Sequence, residues 1–440
     1  MQMQVYGSTA AGFESVEVLF RHEMQTMAEQ AAQLCVYHRG EKVVDLWASD
    51  GEDTEFSADS LVNVFSSGKS LEAIAIAALV SENRLRYDAK ITEYWPAFGA
   101  AGKQDLTVAD LMRHEAGLAN FDTSLDFEAL FTENIKQNAV GKLIEAHALD
   151  FGPEGKDKRQ YHALTRGWIV NELFRRVDPA GRTIGEYLRD EISGPLQADV
   201  FVGLKEEELK RSSRVKVLGF GYHFLQSFLP RFLGRRVVHN IFQILGRLVK
   251  LIPMIARGRK TRVVPPFAGV PGLEFINHPG FLQGETPSAN ANCSARGLAR
   301  VGAMMASGGT WDGREYINAA AWKAAHDHPV KATMGSILTT RFTQGGVDSF
   351  VPCIPGSSRL ERDFTEGREG FYGWMGLGGS VFQWQPQLDI GFAFVPTMLH
   401  VLDLFNERGK RYQAEVLRCV ERLPPDTPAD EARQALPTGE

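Results

Sequence analysis

Cysteine is scarce: Cys35, Cys293, Cys353 and Cys419 are far apart and none forms a CxxC pair. That excludes zinc ribbons and disulfide-stapled scaffolds and makes reduced thiols the expectation. GxSxG, HExxH and GxGxxG are absent, so α/β-hydrolase, zincin and dinucleotide readings have no motif to stand on. The start, Met-Gln-Met-Gln-Val-Tyr-Gly, has neither the basic residues nor the apolar core of an export signal, and a cytoplasmic setting is expected. No apolar run approaches the ~20 residues of a spanning helix. Acidic residues are missing altogether between Glu208 and Glu274, where thirteen Lys and Arg fall; the remainder of the chain then carries −19 against −6 for the whole.

The 440 residues, 44% hydrophobic and 23% charged, suit a soluble chain with a sizeable core and two or three domains, or one large fold carrying an insertion. A net charge of −6 gives no reason to expect nucleic acid as a partner. Periodicity predicts a helix within residues 12–30, a hairpin from Gln33 to Trp47 turning at Arg39-Gly40-Glu41, and a strand at Leu61–Phe65. A helix apolar on nearly every face follows, Ser70–Val80, and must be buried. Residues 87–208 read as helical with few strands. Ala295–Ser307 reads as a helix, Gly379–Trp384 and Asp389–Val395 as paired strands, and Leu402–Leu423 as a closing amphipathic helix. One antiparallel sheet built from both chain ends is expected, with 1–86 and 286–440 as an α/β domain and 87–285 as a mainly helical one. Within the latter, 209–273 is an insertion in which cations alternate with residues such as Phe220, Phe224, Phe228 and Phe232. Residues 424–440, Pro-rich and acidic, read as a loose tail.

The strand-to-helix junction at 61–80 is the richest in chemistry. In Ser66-Ser-Gly-Lys69 at a helix start, i and i+3 share a face, so the Lys amine can reach the Ser hydroxyl as its base. Burial and the positive helix end both favour a neutral amine. The same stretch misses the phosphate loop GxxxxGK[ST] by one residue, with Asn63 in place of the first Gly. No parallel strand–helix units follow, which leaves nucleotide binding without support. His326-Asp327-His328 has no clustered partners and reads as a solvated loop, not a metal site.

Taken together with Leu106-Thr-Val-Ala-Asp-Leu-Met-Arg-His114-Glu-Ala-Gly-Leu118, Tyr161-His-Ala-Leu-Thr-Arg-Gly-Trp168 and Tyr372-Gly-Trp-Met-Gly-Leu-Gly-Gly-Ser380, the Ser66 motif resembles serine hydrolases of the class C β-lactamase and penicillin-binding protein fold. The esterase branch, the family VIII carboxylesterases, looks most similar, also through Gly12-Phe-Glu14, Val43-Val-Asp-Leu-Trp47 and Pro287-Ser-Ala-Asn290. The likeness spans nearly the whole chain except 209–273. It implies a β-lactamase-like α/β fold and an acyl-enzyme on Ser66, with Lys69 as base and Tyr161 sharing the proton transfer. Trp374-Met375-Gly376 stands where the third motif falls, on a Gly-rich edge strand lining the acyl pocket. The backbone N–H groups of Ser66 and Leu377 would then form the oxyanion hole.

Two departures shape the expected specificity. Trp374 replaces the cation or imidazole that meets a β-lactam carboxylate, and Ala163 replaces the Asn of the usual Tyr-x-Asn. Both point towards a neutral ester against an apolar wall. The resulting expectation is a serine carboxylesterase for small or medium acyl groups, with no cofactor and no metal. Acyl transfer or weak β-lactam hydrolysis on the same site are the alternatives. A rival reading makes the chain a peripheral membrane or scaffold protein acting through 209–273.

Overall fold

The computed structural model describes residues 3–149, 158–246, 249, 264–334 and 338–424. A nine-stranded antiparallel sheet runs in the order Gln4–Thr9, Glu41–Ser49, Ala31–His38, Ile390–Pro396, Val381–Gln385, Tyr372–Met375, Asp348–Ser349, Leu338–Phe342 and Val330–Met334. It joins the two ends of the chain through the pairing of Ala31–His38 with Ile390–Pro396, whose residues are all buried. Burial on both faces follows from the layers. Helices Glu14–Thr26 and Glu407–Arg422 cover one face through Phe20, Phe394 and Tyr412. Ala295–Ala306 covers the other, lying so close that a Cβ on Gly391 would come within 2.3 Å of the Ala303 nitrogen.

The expected closing helix begins only at Glu407, because residues 400–406 turn first and Asp403 accepts the Glu407 amide at 2.9 Å. Leu61–Asn63 is a strand, but of a separate small sheet, where it lies between Ala291–Cys293 and Ser212–Ser213. The stretch between the two halves of the large sheet is mainly helical, with Val108–Met112, Ala139–Ala146 and Thr165–Val177. Tyr372–Met375 is not an edge strand as expected. It sits inside the sheet, yet Asp348–Ser349 pairs only with Tyr372 and Gly373, so the Trp374–Gly376 end runs past that neighbour.

The segment 209–273 is anchored at both ends, while 247, 248 and 250–263, with six of its cations, lie outside the described residues. Its first part lends Lys216–Val217 to Met398–Leu399 in a parallel pair. Its last part gives the Pro265 and Pro266 carbonyls to Ser124 and Leu125 and stacks Phe267 on Phe127 at 4.7 Å. The expected tail lies almost wholly outside the described residues, from 425 onward. Among the described residues no helix is long and apolar enough to cross a membrane.

Candidate active site

Ser66 lies in a single 3-10 turn, Phe65–Gly68, that runs straight into the buried helix Lys69–Ser81. The turn enters through Phe65 at φ +48°, a left-handed conformation that a bulky residue adopts only when held there. Asn63 holds it, its Oδ1 accepting the Phe65 amide at 2.8 Å. Asn63 thus serves the turn where a phosphate loop would need glycine. Ser66 is 9% exposed and Lys69 only 1%.

Lys69 Nζ meets three oxygens: Ser66 Oγ at 3.3 Å, the Ala163 carbonyl at 2.8 Å and the Ser288 carbonyl at 2.9 Å. Burial pushes its pKa well below the ordinary value, the Arg166 cation pushes in the same direction, and Glu72 opposes both. In the neutral amine the two carbonyls take up both hydrogens, which leaves the lone pair for the Ser66 hydroxyl. The Ser288 carbonyl can come this close because the loop packs on two glycines. A Cβ on Gly68 would stand 2.6 Å from the Pro287 oxygen, and one on Gly167 2.5 Å from the Ser288 nitrogen.

Tyr161 faces the same point. Lys69 Nζ lies 4.9 Å from the centre of its ring, and its phenol hydrogen-bonds with Ser66. The Trp374 indole N–H donates to the Tyr161 oxygen at 3.1 Å. Trp374 is therefore more than the apolar wall expected. It is 4% exposed, packed on Phe342, and directs its one polar group at the tyrosine. Burial raises the Tyr161 pKa, while its hydrogen bonds with Ser66 and Trp374 pull it back down.

A buried ion pair backs these groups. Arg166 donates to Glu72 at 2.9 Å and to the Lys69 carbonyl at 3.0 Å, tying the Tyr161–Trp168 stretch to the helix Lys69–Ser81. The His162 amide donates to His114 Nδ1 at 3.1 Å, which joins the Leu106–Leu118 stretch to it. His162 accepts from the Leu118 amide through Nε2 and donates through Nδ1 to the Gln160 carbonyl, so its neutral tautomer is fixed. Burial pushes its pKa down to about 4.

The strand end at 374–377 is stitched to the turn that carries Ser66. The Trp374 amide donates to Ser70 Oγ at 3.0 Å, Ser380 Oγ donates to the Val64 carbonyl at 2.7 Å, and Ser67 meets Ser380 at 3.1 Å. Gly376 is required there, since a Cβ would lie 2.2 Å from the Val64 oxygen. Asn406 fixes the Gly376 carbonyl from the far side, at 2.9 Å. Among the described residues neither the Ser66 nor the Leu377 amide has a hydrogen-bond acceptor.

Of the expected substrate-binding positions, Ala163 reaches the centre through its carbonyl, and Met375 turns its sulfur to buried Arg368 at 3.1 Å. Ser66, Lys69, Tyr161, Trp374 and Gly376 converge. Ser70, Glu72, Arg166 and the Ser288 carbonyl escaped the sequence reading. Only Glu72 carried a signal, an acid inside a buried apolar helix that needs a partner. His326 is no solvated loop residue: it is half-buried, accepts the Trp384 indole N–H at 2.8 Å, and has its pKa pushed down to about 4 by burial. Among the described residues no group of three or more His, Cys, Asp or Glu could hold a metal ion.

The large antiparallel sheet, its helical layers and the Ser–Lys–Tyr cluster at the strand-to-helix junction define an α/β fold of the β-lactamase type. The chain belongs to the β-lactamase family, whose model, described as Beta-lactamase, matches residues 16–416. It is similar to a protein of Mycobacterium tuberculosis (strain ATCC 25618 / H37Rv) named esterase/beta-lactamase LipL, 27% identical over 412 residues, which are 90% of this chain and 83% of that protein. Among solved structures, a penicillin-binding protein homolog from Caulobacter crescentus is 26% identical with a TM-score of 0.71, covering 94% of this chain and 100% of that one. A family VIII carboxylesterase has the same fold at 22% identity and a TM-score of 0.73, with coverage of 94% and 100%.

Proposed function

We propose that the protein is a serine carboxylesterase that cleaves neutral carboxylic esters with small or medium acyl groups through an acyl-enzyme on Ser66. The observation that carries this reading is the buried amine of Lys69, 3.3 Å from Ser66 Oγ with two carbonyls holding its remaining hydrogens.

Ser66 Oγ attacks the ester carbonyl and its proton passes to Lys69 Nζ. The carbonyl oxygen becomes an oxyanion between the Ser66 and Leu377 amides, where one such donor typically contributes ~3 kcal/mol to the transition state. The tetrahedral species collapses, and the alcohol leaves with the Tyr161 phenol proton, which Lys69 returns to the phenolate. Water then attacks the acyl-enzyme, giving its proton back through the same pair, and releases the carboxylic acid with Ser66 restored. Trp374 offers no cation to a β-lactam carboxylate, and its single N–H is committed to Tyr161. A neutral acyl chain loses nothing by that, whereas a carboxylate without its partner is penalised by ~2–5 kcal/mol.

The test compares p-nitrophenyl butyrate with benzylpenicillin at one pH. The ester is expected to have a kcat/KM at least ~100-fold higher, in line with that penalty. Preference for benzylpenicillin would overturn the esterase reading.

A further inference from the structure

We infer that residues 216–246, within the segment 209–273, form a docking surface for an anionic lipid bilayer. The helix Phe220–Phe228 is amphipathic the wrong way round for a soluble surface. Its polar residues His223 and Ser227, one turn apart, are buried against the body, where His223 packs 5.8 Å from His400. Phe220, Phe224 and Phe228, also one turn apart, face outward together with Leu225, which is 70% exposed. The next turn presents Phe232 at 86% exposure, and the helical stretch 241–246 presents Phe242 at 81%. Ordinary surfaces show large apolar side chains singly, and a cluster like this one marks an interaction site.

Charge identifies the partner. The described residues 209–246 carry seven Lys and Arg and no acid, which complements an anionic surface and repels a cationic one. Lys216 and Arg211 pair with Glu52 and Asp199 of the body. Arg231, beside Phe232, is exposed instead, and Arg236 is exposed while its guanidinium also donates to the Met27 carbonyl at 2.9 Å. Aromatic rings at the outer face with guanidinium groups beside them match the boundary between acyl chains and headgroups. The surface is fastened to the body next to the active-site strand. Lys216–Val217 pairs with Met398–Leu399, and the adjoining His400 amide donates to the Gly378 carbonyl at 3.0 Å.

The test is co-sedimentation of the full chain with phosphatidylcholine vesicles and with vesicles containing phosphatidylglycerol. Binding to the anionic vesicles is expected to be at least ~10-fold tighter and to fall with added salt. The triple variant Phe220→Ser, Phe224→Ser, Phe228→Ser and the variant Arg231→Glu with Phe232→Ser should each lose it, with p-nitrophenyl butyrate hydrolysis unchanged as the sign of an intact fold. Equal binding to both vesicles, or none, overturns the proposal. So does a wild-type dimer in sedimentation that the triple variant dissolves without any vesicle binding, because the rings would then meet a second copy of the chain.

Discussion

Lys69 and Tyr161 have their pKa values displaced in opposite directions, down and up, mainly by burial. If the lysine must be neutral and the phenol protonated, kcat/KM rises as pH climbs through the lowered Lys69 pKa and falls only above the ordinary range of a tyrosine. A broad plateau between the two limbs is expected in a pH–rate profile. Lys69→Ala and Tyr161→Phe should each lower kcat by at least ~100-fold, and the double variant should lose much less than the product, because both serve one proton path. Near-normal turnover of Tyr161→Phe would remove the phenol from the mechanism. Trp374→Phe removes the donor that stabilises the phenolate, so its alkaline limb should move to higher pH with the acid limb in place. Ser66 and Lys69 were legible in the sequence because i and i+3 on a helix must meet. The Ser288 and Ala163 carbonyls were not, since a backbone acceptor leaves no trace in residue type.

At the level of elements, the site depends on the close approach of the strand end at Gly376 to the turn before Ser66. Gly376→Ala would place a Cβ 2.1 Å from Ser380 Oγ and 2.2 Å from the Val64 oxygen, so the strand must move. A loss of stability of ~1–3 kcal/mol is expected from such overpacking, seen as a lower denaturant midpoint, with kcat/KM reduced ~10-fold or more as the Leu377 amide shifts. Gly219→Ala, with nothing within 4 Å of the new Cβ, should change neither. The apolar strands Ala31–His38, Val381–Gln385 and Ile390–Pro396 and the helix Ala295–Ala306 were readable from period and composition. Gln4–Thr9 and Val330–Met334 escaped notice because they are the outer strands of the sheet, short and largely exposed, and owe their form to pairing with a neighbour. The wrong-way amphipathicity of Phe220–Phe228 was hidden for a related reason: periodicity shows that a helix has two faces but not which one meets the core.

Across the whole molecule, burial keeps five imidazoles from taking a proton. The pKa values of His162, His223 and His326 are pushed down to about 4, and those of His114 and His400 are also lowered well below the ordinary value. Their depressed folded-state values mean that the unfolded chain binds more protons below the unperturbed value of ~6.5, so stability is lost as pH falls through that window. Asp348, raised to about 7 by burial, and the buried Glu29 and Glu285, also raised, act in the opposite sense, losing their contribution as pH rises. The imidazoles outnumber these carboxyls, and Tm should therefore be lower at pH 5 than at pH 7.5 in calorimetry. An unchanged or higher Tm at pH 5 would show that the histidines are not held neutral.

The acyl-enzyme on Ser66 is tested most directly by treating the protein with a fluorophosphonate ester, measuring its intact mass and mapping the modified peptide. One adduct per chain is expected, on the peptide that carries Ser66, and none in Ser66→Ala, whose fold should survive. An adduct on a different serine, or one that persists in Ser66→Ala, would contradict the account.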